Sequence, residues 1–198
     1  MEHPDPTHYL AASPYIDWQH PSIVTKAQQL AAPHHTAKQI AQACFEFVRD
    51  DIKHSLDYEG LTVVTCKASE VLHEGSGFCY AKSHLLAALL RANGIPAGLC
   101  YQRLTLTDQP PYCLHGLNAI YLPHYGWYRV DARGNKPEVN AQFTPPVEQL
   151  AFQLIDPYEK DIEGIFAEPL PMVIALLTQS QTVQEVVERL PWDSEVVA

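Results

Sequence analysis

The chain has 198 residues, 46% hydrophobic and 18% charged, which suffices for one domain with a sizeable core or one domain with an appendage. A formal net charge of −10 and a pI near 5.4 argue against nucleic acid or an anionic membrane as its main partner. No basic and apolar leader opens the sequence, no apolar run approaches the ~20 residues of a bilayer span, and the five cysteines form no CxxC pair, so reduced thiols and a cytoplasmic location are expected.

Met1 to His20 carries Pro4, Pro6 and Pro14 without helical period and is read as an extended arm. Pro21 opens a short amphipathic helix with Ile23, Ala27 and Leu30 on one face, stopped near Pro33. Thr36 is a predicted N-cap for a helix in which Ile40, Cys44, Phe47 and Val48 fall on one stripe. His54 to Cys66 reads as a loop followed by a short strand or extended piece over Leu61-Thr62-Val63-Val64-Thr65. Ala68 to His73 favours a helical turn.

From Cys79 onward Ala81, Leu85, Ala88 and Leu89 recur at three and four residues, with Leu86 and Leu90 widening the stripe. This helix is apolar on most of its circumference, which predicts a central position; Asn93-Gly94 ends it and Pro96 prevents continuation. Strand patterns follow over Ala97 to Leu106, Gly116 to Leu122 and Gly126 to Asp131, the last two forming a hairpin around Pro123-His124-Tyr125-Gly126. Beyond Asn135 the alternation is lost. A proline-punctuated segment is expected to wrap the core as loops and edge pieces, with short helices over Leu170 to Leu177 and Thr182 to Leu190.

Cys79 follows Gly75-Ser76-Gly77-Phe78 and precedes the apolar helix. A sulfur at a helix start meets the positive end of the macrodipole and free N–H groups, an environment that favours the thiolate; the Cys79 N–H is also a natural oxyanion donor. A lone cysteine is as often a small buried hydrophobe. A thiol enzyme also needs an imidazole and a group that orients it. His115 opens the first hairpin strand and Asp131 ends the second, so the hairpin brings them to one end of the sheet, in the chain order Cys, His, Asp. Taken singly, His115 could be a strand-edge polar residue and Asp131 a turn former. His73 and His84 flank Cys79 but match no common zinc spacing, and no metal or other cofactor is expected. Arg133 is read as a turn anchor or the partner of a carboxylate.

Four ordered blocks, Ala68 to Ala81, Leu89 to Ala97, His115 to Ala119 and Gly126 to Asp131, resemble the transglutaminase-like superfamily, and within it the bacterial transglutaminase-like cysteine peptidases. The resemblance implies a papain-like α+β fold, with a central helix carrying the nucleophile Cys79 packed on an antiparallel sheet carrying the base and acid His115 and its orienting carboxylate Asp131. Tyr80 stands where relatives often carry Trp and is assigned a packing role. Gln102 and His54 are the candidates for a side-chain oxyanion donor. The expected organisation is a single domain: an arm and short helix over 1–35, a catalytic core over 36–135 and a wrapping segment over 136–198. The expected function is thiol acyl transfer on peptide, isopeptide or small amide bonds, with hydrolysis favoured over transfer to an amine; a non-catalytic binding scaffold of the same fold is the alternative from another class.

Overall fold

The computed structural model describes residues 5–105 and 110–190. Four antiparallel strands, β3 (Ala97–Thr105), β4 (Tyr112–Leu122), β5 (Gly126–Val130) and β6 (Lys160–Phe166), form a sheet in the order β5-β4-β3-β6. Helices α1 (Pro21–Ala31), α2 (Ala37–Asp50), α3 (Ala68–Glu74) and α4 (Cys79–Ala92) precede it, and α5 (Pro171–Gln179) and α6 (Val183–Glu188) follow it. A parallel pair of two-residue strands, β1 (Lys53–His54) and β2 (Ser76–Gly77), joins the end of α2 to the start of α4. This is the expected α+β architecture.

Helix α4 is central because it is apolar on nearly every side. Cys79 through Arg91 are all buried, and the helix packs against α1, α2 and α3 as well as β3 and β4. Two polar side chains fix its position. Asn118 Nδ2, in the middle of β4, donates to Ser83 O at 2.9 Å and Gly98 O at 3.2 Å, tying helix to sheet. Arg91, in the last turn, donates to Ala97 O, Ala11 O and Ala167 O at 2.7–3.0 Å, gathering the N-terminal arm, the start of β3 and the segment after β6. Among the described residues no carboxylate makes an ion pair with this guanidinium, and those carbonyls replace its water.

The caps on α1 and α2 form as the sequence implies, with Pro21 in the first turn of α1 and Thr36 Oγ1 accepting the Gln39 N–H. Helix α3 is stapled differently from the expectation of a bare turn: the Glu70 carboxylate accepts the N–H groups of Cys66 and Lys67, both at 3.0 Å. Three further readings are corrected. Leu61 to Thr65 is not a strand; the chain there is irregular and Val63 is 48% exposed. The arm contains a 3-10 helix, Pro6–Leu10, whose Tyr9 hydroxyl donates to Ile165 O at 2.8 Å. The sheet has a fourth strand, β6, an edge strand of mostly exposed residues with a register shift opposite Leu99 and Tyr101. Leu106, the expected end of β3, lies outside the described residues, as do the first four residues of the arm.

Candidate active site

Pairing of β1 with β2 sets the approach to Cys79. Lys53 N–H bonds Gly75 O at 2.9 Å and Ser55 N–H bonds Gly77 O at 3.1 Å, which places His54 beside Gly77. Gly75 closes α3 in the left-handed region, φ +65°, where a side chain would be strained. Phe78 is the N-cap of α4 and Cys79 its first residue. Helix geometry leaves the N–H groups at this end without intrahelical acceptors.

Strand β4 supplies His115, from the interior of the strand and not from its start. Tyr112, Cys113 and Leu114 already pair with Thr105, Leu104 and Arg103, so the strand begins three residues earlier than expected. At Gly116 the strand presses against the start of α4. A Cβ there would lie 2.9 Å from Tyr80 Cδ1 and 3.2–3.3 Å from the Tyr80 Cα and N. Tyr80 is locked in turn, its hydroxyl donating to Leu114 O. The aromatic after Cys79 thus has the packing role read from the sequence, and a hydrogen bond to β4 besides.

Asp131 follows the last residue of β5, and its Oδ2 lies 2.8 Å from His115 Nε2. The carboxylate also accepts the N–H of Arg133 at 3.1 Å and of Ala151 at 3.3 Å. Burial opposes the charged form of both groups. For Asp131 the charge and hydrogen bond of His115, with the two backbone N–H groups, outweigh it and hold the carboxyl below its usual range. For His115 burial is again the largest influence, but Asp131 and the Cys79 sulfur together raise it to about 10. Burial pushes the thiols of Cys44, Cys66, Cys100 and Cys113 up to about 12.

Cys79 and His115 face a cleft of about 300 Å³, walled by His54, Leu56 and Asp57 on one segment, Phe78 and Tyr80 at the helix start, Leu104 and Cys113 on the sheet, and Arg133, Lys136, Phe152 and Leu190 from the later chain. Phe152 meets the His115 ring edge to face with centroids 5.0 Å apart. A wider depression of about 680 Å³, over α3 and lined by His20, Glu70 and His73, contains none of the predicted catalytic residues.

The remaining predicted residues fall in different places. His54 lines the cleft: its ring packs on Phe78, and Nδ1 accepts the Leu56 N–H at 3.3 Å, which leaves the ring proton on Nε2. Burial, reinforced by Arg133, depresses its pKa well below the ordinary value, so it is neutral. Gln102 sits opposite His115 in register but does not line the cleft; its amide donates to Asp161 at 2.9 Å. His84 is fully buried with Nδ1 2.7 Å from Cys66 O, whereas the His73 side chain is 85% exposed. Arg133 pairs with a carboxylate, Asp57, through both terminal nitrogens at 2.5 and 3.0 Å, and Lys136 joins the same carboxylate at 3.0 Å. Burial favours neutral Asp57, yet these bonds hold its pKa at about 2. Asp57, Lys136 and Phe152 carry no motif or period in the sequence that would single them out.

One buried cation lies behind the site. Lys82, in the first turn of α4, is 1% exposed and its Nζ donates to Ile52 O. Burial first, then Arg133, lower its pKa to about 7. Between pH 7 and about 10.4 the unfolded chain holds a proton that the folded chain lacks, so this lysine makes stability rise with pH there, by up to about 1.4 kcal/mol per unit. Lys82→Met is expected to lose that slope, measured as denaturant midpoints across this pH range.

The transglutaminase-like superfamily matches residues 24–132, more than half of the chain. The chain belongs to that superfamily. No curated protein sequence matches it. Among solved structures, a candidate cysteine protease from Cytophaga hutchinsonii is similar at 20% identity with a TM-score of 0.53, over 67% of this chain and 43% of that one. The periplasmic domain of TgpA from Pseudomonas aeruginosa is similar at 20% identity with a TM-score of 0.48, over 65% of this chain and 47% of that one. The chain thus spans less than half the length of either structure, and what the likeness to the Cytophaga hutchinsonii structure carries is the fold. With the superfamily match it gives an α+β fold of papain-like core.

Proposed function

We propose that the protein is a thiol acyl-transfer enzyme acting on amide bonds of peptides or small amides, with hydrolysis as its main outcome. The observation that carries this reading is the buried His115–Asp131 pair at 2.8 Å in the same cleft as the helix-starting Cys79. Asp131 takes the Nε2 side of the imidazole, which leaves Nδ1 for the sulfur. Transfer of the Cys79 proton to His115 Nδ1 gives the thiolate–imidazolium pair in which His115 stays protonated up to about pH 10, and the sulfur attacks the amide carbonyl to form a C–S bond. The Cys79 N–H and the neutral Nε2–H of His54 are the donors for the oxyanion. The C–N bond then breaks as His115 returns the proton to the departing amine. Water, deprotonated by His115, attacks the thioester, releasing a carboxylate and the thiol.

Near neutral pH, iodoacetamide is expected to modify Cys79 at one equivalent and to spare the other four cysteines, whose thiols burial holds near 12. His115→Ala is expected to slow that modification at least tenfold. Peptide mass spectrometry locates the label, and equal labelling of all five cysteines, or none at Cys79, contradicts the reading. Amine incorporation into a glutamine peptide in place of hydrolysis would assign the second half-reaction to transfer.

A further inference from the structure

The protein is strongly acidic, at −10 overall, yet the cleft that Cys79 lines holds two cations, Arg133 and Lys136, against the one carboxylate Asp57. Arg133 and Lys136 share a single carboxylate, Asp57. Among the described residues no second carboxylate lies within 4.0 Å of either cation. Two of the five N–H donors of Arg133 and one of the three of Lys136 go to Asp57. The Lys136 side chain is 43% exposed. The charges facing the cleft divide into two groups. Cys79 and His115, with Asp131 buried behind the imidazole, form one, and Asp57, Arg133 and Lys136 form the other, with net charge +1. Phe152 stands between them, 5.0 Å from the His115 ring and 5.8 Å from the Arg133 guanidinium. His54, also in the wall, is neutral, and burial keeps the protons of Tyr80 and Cys113 in place.

We infer that the cleft selects acyl donors that carry a carboxylate near the reacting carbonyl, with Lys136 and Arg133 as the cations that receive it. The inference rests on the acyl-transfer reading of Cys79. A carboxylate restores the missing second partner of the cation pair, and Arg133, held flat by Asp57, presents planar donors suited to it. Cys79 and both cations line the same cleft of about 300 Å³, so the preference acts on the acyl donor held there. The net charge of −10 disfavours such a substrate away from the cleft.

The test uses the full chain and two reagents of equal size and opposite design, iodoacetate and iodoacetamide, with Cys79 modification followed by peptide mass spectrometry. The ratio of the iodoacetate rate to the iodoacetamide rate is expected to fall roughly threefold to tenfold in Lys136→Gln, the effect of one unit charge across a solvated cleft. It is expected to fall further in Lys136→Glu, and the three proteins should converge at high salt. A ratio unchanged in both variants, with Cys79 still modified, overturns the carboxylate preference and leaves the acyl-transfer reading standing. Failure of both reagents at Cys79 overturns the two together. Protection of Cys79 from iodoacetamide then distinguishes the source of the carboxylate. Lys136-dependent protection by amide-capped peptides with an internal glutamate assigns it to a side chain, and by apolar peptides with a free C-terminus to the chain end. Equal protection by neutral peptides counts against the proposal.

Discussion

Asp131→Asn is expected to lower the rate of acyl transfer about 10³- to 10⁴-fold while the protein stays folded, as loss of an orienting carboxylate does in triads generally. The carboxylate does two things that an amide cannot. It accepts the Nε2–H of His115, which leaves Nδ1 for the sulfur in the proposed reaction, and its charge is the largest of the influences that overcome burial and, with the Cys79 sulfur, raise the imidazole to about 10. Asparagine can present its NH₂ to Nε2 and reverse the tautomer, so that Nδ1 carries a proton and can no longer accept one. The rate of Cys79 alkylation against pH reads this directly. In the wild type the imidazolium persists to about pH 10; in Asp131→Asn only the Cys79 sulfur still opposes burial, so the alkaline limb moves towards acid. A second signature follows from Asp131 itself. Its folded pKa is depressed, so its stabilisation is complete above the unfolded value of about 3.9 and is lost as pH falls through the folded one. The Asn variant should lack that acid-side loss. Unchanged kcat/KM would remove Asp131 from the chemistry.

The features legible from sequence are those whose cause is local. The turn before Cys79, the all-round apolar period of α4 and the hairpin of β4 with β5 are each set by neighbouring residues, and the hairpin then juxtaposes His115 and Asp131 across 16 positions. The readings that failed depend on what the chain meets later. Leu61 to Thr65 has strand composition, but among the described residues it pairs with no strand, so of the strand or extended piece read there the strand does not form. Strand β6 is the converse: its exposed charges and Gly164 hide the pattern, and β3 imposes the strand by pairing. The same holds at the site. Phe152 and Ala151 reach His115 and Asp131 from the proline-rich segment read as a wrap, and Asp57 meets Arg133 across 76 positions. Gln102 is chemically suited to an oxyanion donor, but its partner Asp161 comes from β6, the strand the sequence pattern concealed.

Gly116→Ala is the second change expected to have a large effect, and it separates geometry from chemistry because it removes no functional group. The added Cβ would stand 2.9 Å from Tyr80 Cδ1 and 3.2–3.3 Å from the Tyr80 backbone. The ring cannot swing away cheaply, since its hydroxyl is bound to Leu114 O and the residue is 2% exposed. Relief must come from the helix start or the strand, which means that Cys79 and His115 separate or tilt. Overpacking of this kind costs about 1–3 kcal/mol of stability, read as a lower denaturant midpoint. The catalytic loss should exceed what that number suggests, because displacing a nucleophile from its base by about 1 Å can cost 10²-fold in rate. The loss should fall on kcat and on the rate of Cys79 alkylation, with KM nearly unchanged, since the walls formed by Leu56, Arg133 and Lys136 are untouched. A variant that is destabilised but alkylates Cys79 at the wild-type rate would show that the close approach of β4 to α4 serves packing alone.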